Sequence, residues 1–256
     1  MMNVRQSFLA FLVVGLAHLP IVAAERNQEE DAGDPIAGAQ LAAQMRRMVP
    51  ATNASWSGVL VRKLPDYTRE KTSVTCRIFV EPDKWSAVYD ADATDRSPAE
   101  KLTVIHHDAG NVEYFRWTAG TDGQFKGAPI RLRSEETMVP FAGSDFYLSD
   151  FGMEFFQWPT QLLFKGQMKR GQPCYVLDSV SPRPDGKGYY RVRSWIEKEH
   201  LGLMQANAYD LNGKLLKEFR TGSFIKDAAG NYQLKDMDIT DRRSGAETEL
   251  RFDVDR

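Results

Sequence analysis

The chain has 256 residues, of which 42% are hydrophobic, and its 33 basic and 35 acidic side chains leave a net charge of −2. That balance excludes the strongly basic footprint of a nucleic-acid binder, so no nucleic-acid partner is expected. The length is enough to bury a sizeable core. The two cysteines, Cys76 and Cys174, form no Cys-x-x-Cys pair, so a redox site is not supported.

The N-terminus has the three parts of a secretory signal peptide: a short stretch with Arg5, an apolar run from Phe8 to Val22, and the small residues Val22-Ala23-Ala24. A single membrane anchor is the competing reading. The run is shorter than the roughly 20 residues needed to span a bilayer, and Gly15, His18 and Pro20 interrupt it. Residues 1–24 are therefore expected to be cleaved near Ala24 after export to the periplasm. No Cys follows the run, which argues against a lipid-modified, outer-membrane-anchored protein. Residues 25–33 are polar and without periodicity, and are expected to form a flexible leader.

A helix is predicted next. Asp34 can cap it, Pro35 fits its first position, and Ala37, Leu41, Met45 and Met48 recur at helical spacing before Pro50 stops it. From Ser55 the period changes to two. Val74, Cys76, Ile78 and Val80 share one phase, as do Trp85, Ala87 and Tyr89 beyond the Glu81-Pro82-Asp83-Lys84 turn. Leu102–His107 and Val112–Trp117 read as a hairpin, and 118–133 as a loop with one short strand. Leu148, Phe151, Phe155 and Trp158 return to helical spacing and predict a short amphipathic helix ended by Pro159. Strands follow at 161–168, 174–180, 189–197, 203–209, 215–225, 232–240 and 247–255. In the last, Thr248, Leu250, Phe252 and Val254 alternate with Glu247, Glu249, Arg251 and Asp253, as in an antiparallel sheet covered on one face. With two helices to serve as crossovers, a parallel architecture is disfavoured. Cys76 and Cys174 both fall in apolar strand phases; a disulfide and two inert buried thiols are both open.

Catalytic vocabulary is sparse. The sequence has no Gly-x-Ser-x-Gly, no His-Glu-x-x-His, no phosphate loop and no dinucleotide fingerprint. Adjacent strand residues point to opposite faces, so His106 and His107 read as one inward and one solvated imidazole, not a metal pair. His200 is expected in solvent, as are Asp236, Asp238 and Asp241, whose spacing matches no calcium loop. Arg191 and Arg193 share the Trp195 face of their strand; a basic-aromatic surface for an anionic head group or a partner is one reading, and a cross-strand salt-bridge face is the one expected. Asn53-Ala54-Ser55 fits a glycosylation acceptor. We expect no enzyme activity, no metal and no cofactor. The aromatic segment is more telling, with Phe146, Tyr147, Phe151, Phe155, Phe156 and Trp158 within thirteen residues. A stripe that merely seals a curved sheet would suffice. Phe156 and Met153 fall off that stripe, however, so the helix also reads as a lid over a cavity.

The order Gly143-Ser144-Asp145-Phe146, then Ser149-Asp150-Phe151, resembles the outer-membrane lipoprotein-sorting protein family, relatives of the LolA and LolB carriers. Gly166, Cys174-Tyr175-Val176-Leu177-Asp178, Trp195-Ile196-Glu197-Lys198 and Tyr209 to Lys217 are similar too, as is the final strand. The resemblance implies a mainly β fold: a strongly curved antiparallel sheet, an incomplete barrel, with an N-terminal helix and a short lid helix covering the concave face. It implies one carrier-like domain over 34–256, with Phe146, Phe151, Phe155, Phe156 and Trp158 as cavity and lid candidates. The expected role is a periplasmic carrier of lipid or lipoprotein acyl chains in outer-membrane lipoprotein sorting, acting as a monomer without covalent chemistry. Inner-membrane export machinery is a further expected partner. The alternative is an envelope regulatory or interaction module of the same fold, a sensor or an accessory to an export pump.

Overall fold

The structure, a computed structural model, describes residues 32–108, 110–182, 188–226 and 232–253. The expected signal peptide, residues 25–31 of the leader and Val254 lie outside them.

Helix α1 (Pro35–Arg46) starts as its sequence requires: Asp34 Oδ1 accepts the Ile36 and Ala37 amides at 2.9 and 3.0 Å, and Pro35 occupies the first turn. Its buried face is Gly38, Leu41, Ala42 and Met45. Two expected stripe positions differ. Ala37 is half-buried, and Met48 lies beyond the helix end, 42% exposed. Gly38 takes the contact because the helix meets strand β7 (Thr160–Lys169) there: a Cβ on Gly38 would lie 2.4 Å from the Gln161 carbonyl oxygen. Gly38→Ala is therefore expected to cost about 1–3 kcal/mol by forcing helix and strand apart. An unchanged urea midpoint would contradict so close an approach.

The strands form one antiparallel meander. The first run is β1 (Ala54–Lys63), β2 (Arg69–Val80), β3 (Lys84–Ala91), β4 (Glu100–His107), β5 (Val112–Thr118) and β6 (Ile130–Leu132). The second runs from β7 through β8 (Gln172–Val180), β9 (Arg191–Glu197), β10 (Leu203–Tyr209) and β11 (Leu215–Thr221). Strands β14 (Asp236–Asp241) and β15 (Glu247–Phe252) join them, β15 pairing with β1 and β14 with β11. The resulting 13-stranded sheet has β6 and β7 as its edges and does not close. Residues between those edges cross the concave face, which is how the aromatic segment comes to lie there. The edge at β7 is covered where Asp34 and Leu163 exchange backbone hydrogen bonds of 2.8 and 3.0 Å.

Two long strands of the sequence reading are each divided. The 215–225 strand ends at Thr221, and Phe224–Lys226 (β12) pairs instead with Tyr232–Leu234 (β13) as a separate hairpin. Asp236 explains the break: its carboxylate accepts the Ser223 amide at 3.1 Å, and a Cβ on Gly222 would collide with it. The Asp210-Leu211-Asn212-Gly213-Lys214 motif is the β10–β11 turn. Asp210 Oδ1 takes the Asn212 and Lys214 amides, and Gly213 adopts φ +77°.

Inward residues form two clusters on the concave side. One gathers Leu60, Val74, Cys76, Ile78, Leu102, Val104 and Leu250 from the β1–β5 side. The other gathers Leu177, Val192, Ile196, Ala206 and Ala208 under α1. A third, small cluster of Cys174, Val176 and Trp195 is separate from both, with Lys169 over the Trp195 ring at 4.1 Å. Both thiols are free and buried. Burial pushes Cys76 up to about 12 and raises Cys174 as well, which disfavours the thiolate at both. On β9, Arg191 and Arg193 pair with Asp178 of β8 at 2.9 and 2.6 Å, the expected salt-bridge face.

Candidate ligand cavity

Between the two concave clusters the sheet encloses a cavity of about 470 Å³, within the range of small-molecule sites. Its wall comes from inward side chains of the strands: Trp56, Cys76, Ile78, Trp85, Tyr89, His106, Phe219, Met237 and Phe252. Its roof comes from α1 and the segment after it (Met45, Arg46, Met48, Val49) and from the aromatic segment.

The aromatic segment is not one helix. It forms a single α-turn, α2 (Leu148–Phe151), and then a 3₁₀ turn (Glu154–Gln157). Gly152 and Met153 divide them, Met153 at φ +47°, an unfavourable conformation for a non-glycine residue. Tyr114 fixes the break. Its hydroxyl donates to the Ser149 carbonyl at 3.5 Å, and a Cβ on Gly152 would lie 2.2 Å from that oxygen. The helical spacing in the sequence was real, but the turn after Phe151 reorients the chain. The rings therefore divide between the two halves of the sheet. Phe146 and Phe151 join the first cluster, and Tyr147, Phe155, Phe156 and Trp158 the second.

Of the five sequence candidates, Phe146, Phe151 and Phe156 line the main cavity. Phe151 packs on Tyr89, Phe141 and Phe146 with ring centroids 4.5, 5.1 and 5.6 Å apart. Phe155 faces a second, much smaller space of about 30 Å³, lined also by Met153, Tyr189 and Lys217. Trp158 is buried in the second cluster, outside the residues lining either space.

The polar residues of the segment pin it to the sheet. Asp145 accepts Arg62 of β1 at 3.1 and 3.2 Å, and Thr248 of β15 at 2.8 Å. Its own amide donates to Thr248 at 3.0 Å, and its carbonyl accepts Lys217 Nζ of β11. Asp150 caps α2 by accepting the Tyr147 amide at 2.7 Å and takes the Tyr189 hydroxyl at 3.2 Å. Burial raises Asp150 and lowers Lys217 to about 8, while Lys217 lies 3.2 Å over the Tyr147 ring centroid. At the far end, Gln161 donates to the Phe155 and Trp158 carbonyls, and Arg46 to Phe156 at 2.7 Å. The Ser-Asp-Phe and Ser-Asp-Phe repeats of the sequence are thus attachment points: each aspartate holds the backbone while each phenylalanine fills the concave side.

Sequence reasoning missed Arg46, Met237 and Phe219 as cavity residues. Their signal was the strand and helix phase, but the facing wall that turns a buried position into a cavity position is set by the sheet's curvature. The histidine pair divides as expected. His106 is buried and stacks on Trp85, centroids 3.9 Å and planes 3° apart, while His107 is half-exposed. Asp241 differs from expectation: it is buried, held by Arg243 at 2.6 Å. Glu197, Glu199 and the exposed His200 bring three ligand atoms within 4.8 Å of one another, but Glu197 already accepts the Glu199 and His200 amides, as in a capped turn.

Burial pushes His106 down from 6.5 to about 4, with His107 adding repulsion. The unfolded chain takes up this proton below about 6.5, whereas the folded chain does so only near 4, so stability is lost as pH falls through that window. His106→Phe should remove up to about 3 kcal/mol of that acid loss. An equal slope in both proteins, by urea unfolding from pH 6.5 to 4, would contradict a neutral buried imidazole.

The comparisons agree with this architecture. A family model described as "-like: Uncharacterized protein" matches residues 126–254, half of the chain. Among solved structures, a domain assigned to outer membrane lipoprotein sorting, from Vibrio parahaemolyticus, superposes with a TM-score of 0.69 at 20% identity, covering 86% of this chain and 92% of that one. The chain belongs to the family that this model describes, and its fold is that of the lipoprotein-sorting domain. A DUF1329 family protein from Desulfovibrio piger gives 0.64 at 18% identity, over 87% and 95% of the two chains. A LolA superfamily protein from Nitrosomonas europaea gives 0.54 at 13%, over 86% and 91%. No curated protein matches. Among the described residues no helix is long and apolar enough to cross a membrane.

Proposed function

We propose that this protein is an exported carrier that holds the acyl chains of a lipid or lipoprotein in the concave cavity of its LolA-type fold, with Phe146, Phe151 and Phe156 as the plug that covers them. The observation that carries this reading is the cavity itself. About 470 Å³ of space, walled mainly by aromatic and aliphatic side chains, lies between the two clusters of the concave side. An acyl chain transferred there from water gains about 0.8 kcal/mol per CH₂. Only a water-excluding wall is needed, and the residues around it offer no paired nucleophile and base. The solved neighbour named for lipoprotein sorting supports the same reading through its fold. Release needs the plug to move. Its polar attachments cluster at Asp145–Asp150 and again at Glu154–Trp158, which leaves Gly152–Met153 as the joint.

Displacement of a neutral hydrophobic dye from the purified protein by a triacylated lipopeptide tests the reading. Saturable displacement by the lipopeptide, and none by its deacylated form, is expected. Equal displacement by both would overturn it.

A further inference from the structure

The cavity is mainly apolar, and its polar lining is Arg46, His106, Asp150, Gln157 and Thr221. His106 is 7% exposed and lines the cavity, and its Nε2 has no hydrogen-bond partner among the described residues. A buried nitrogen without a partner costs free energy unless something in the cavity bonds to it. Trp85 stacks on the imidazole and holds the ring in place. Arg46 lines the same cavity and also shares with Trp85 an adjoining cleft of about 280 Å³. Its guanidinium spends one N–H on the Phe156 carbonyl and forms no ion pair among the described residues. Burial and the neighbouring Arg47 both disfavour its charge, which an anion would relieve. Two acids stand nearby, and neither serves. Asp108 lines only the cleft and pairs with neither arginine, and the Asp150 carboxyl is occupied by the Tyr147 amide and the Tyr189 hydroxyl.

We propose that the ligand carries an anionic oxygen head group, a carboxylate or phosphate attached to acyl chain, and that His106 and Arg46 hold this head at the α1 end of the cavity while the chain runs toward Phe146 and Phe151. The neutral imidazole donates one N–H, and the guanidinium supplies the compensating charge and a second donor, the charge-assisted arrangement that discriminates acids from neutral esters. This rests on the cavity being the ligand site, as proposed above.

The test is equilibrium displacement of N-phenylnaphthylamine from the delipidated full chain by two matched pairs: palmitate against methyl palmitate, and phosphatidic acid against diacylglycerol. At least one acid should displace the dye at about ten-fold lower concentration than its neutral partner, and the pair that does so identifies carboxylate or phosphate. His106→Phe, which keeps a flat ring on Trp85, and Arg46→Gln, which keeps a donor for Phe156, should each shrink that ratio. Equal displacement within both pairs would overturn the head-group site while leaving an acyl-chain cavity in place. A wild-type ratio unchanged in both variants would do the same. Failure of all four lipids to displace the dye would overturn the cavity reading itself.

Discussion

Phe151→Asp is expected to abolish acyl-chain binding, weakening it by roughly 100-fold or more. The side chain is buried at the meeting point of Tyr89, Phe141 and Phe146 and forms part of the cavity lining. A carboxyl placed there must either stay ionised beside hydrocarbon or take up a proton, and both cost several kcal/mol. The neighbouring Phe155 makes an informative control, because it faces the small space and the second cluster instead. Phe155→Ala should cost about 3–5 kcal/mol of stability as a cavity-creating substitution. Its effect on binding, in protein still folded at low temperature, should be much smaller. Dye displacement and urea unfolding of both variants read the two effects separately. Equal loss of binding in both variants would contradict the assignment of the two rings to different spaces.

Asp145→Ala is expected to be the most damaging polar substitution, costing about 3 kcal/mol or more. Its carboxylate is 4% exposed and receives Arg62 and Thr248 from two adjacent strands, while its backbone carbonyl receives Lys217 from β11. Removing the carboxylate leaves Arg62 with only the longer Glu70 contact at 3.6 Å, and the buried Thr248 hydroxyl, which still accepts the residue 145 amide, loses the acceptor for its own proton. The aromatic plug would lose its firmest attachment to the sheet, so binding should also weaken. Asp145→Asn keeps one acceptor and should lose less. If Asp145→Ala unfolds at the wild-type urea midpoint, the plug is not held in this way.

Much of this architecture was legible from residue phase. The concave face followed from Val74, Cys76 and Ile78, from Trp85, Ala87 and Tyr89, and from Thr248, Leu250 and Phe252, because a half-buried strand has a period of two. Helix α1 was legible because Asp34-Pro35 is a local signal that needs no tertiary partner. What sequence could not give depended on distant chain segments. The lid read as one helix because Leu148, Phe151, Phe155 and Trp158 have helical spacing. The break at Gly152 is imposed by Tyr114 from β5, and no pattern within the segment records it. Asp241 read as a solvated carboxylate, yet Arg243 and the plug's Tyr147, which accepts from that arginine at 3.0 Å, draw it into the core. The His106 site was half legible: the strand phase turned one imidazole inward, but the cavity it shares with Arg46 arises only when α1 is laid over the sheet.

Acyl chains held in the concave cavity would add their mass to the purified protein. Native mass spectrometry of the full chain, purified from cells without detergent, tests this most directly. A population heavier than the bare protein by the mass of a lipid is expected, releasing an acyl-bearing species on collisional activation and absent from Phe151→Asp. A spectrum showing only bare protein, from a preparation that also fails to take up added lipid, would contradict acyl-chain binding there.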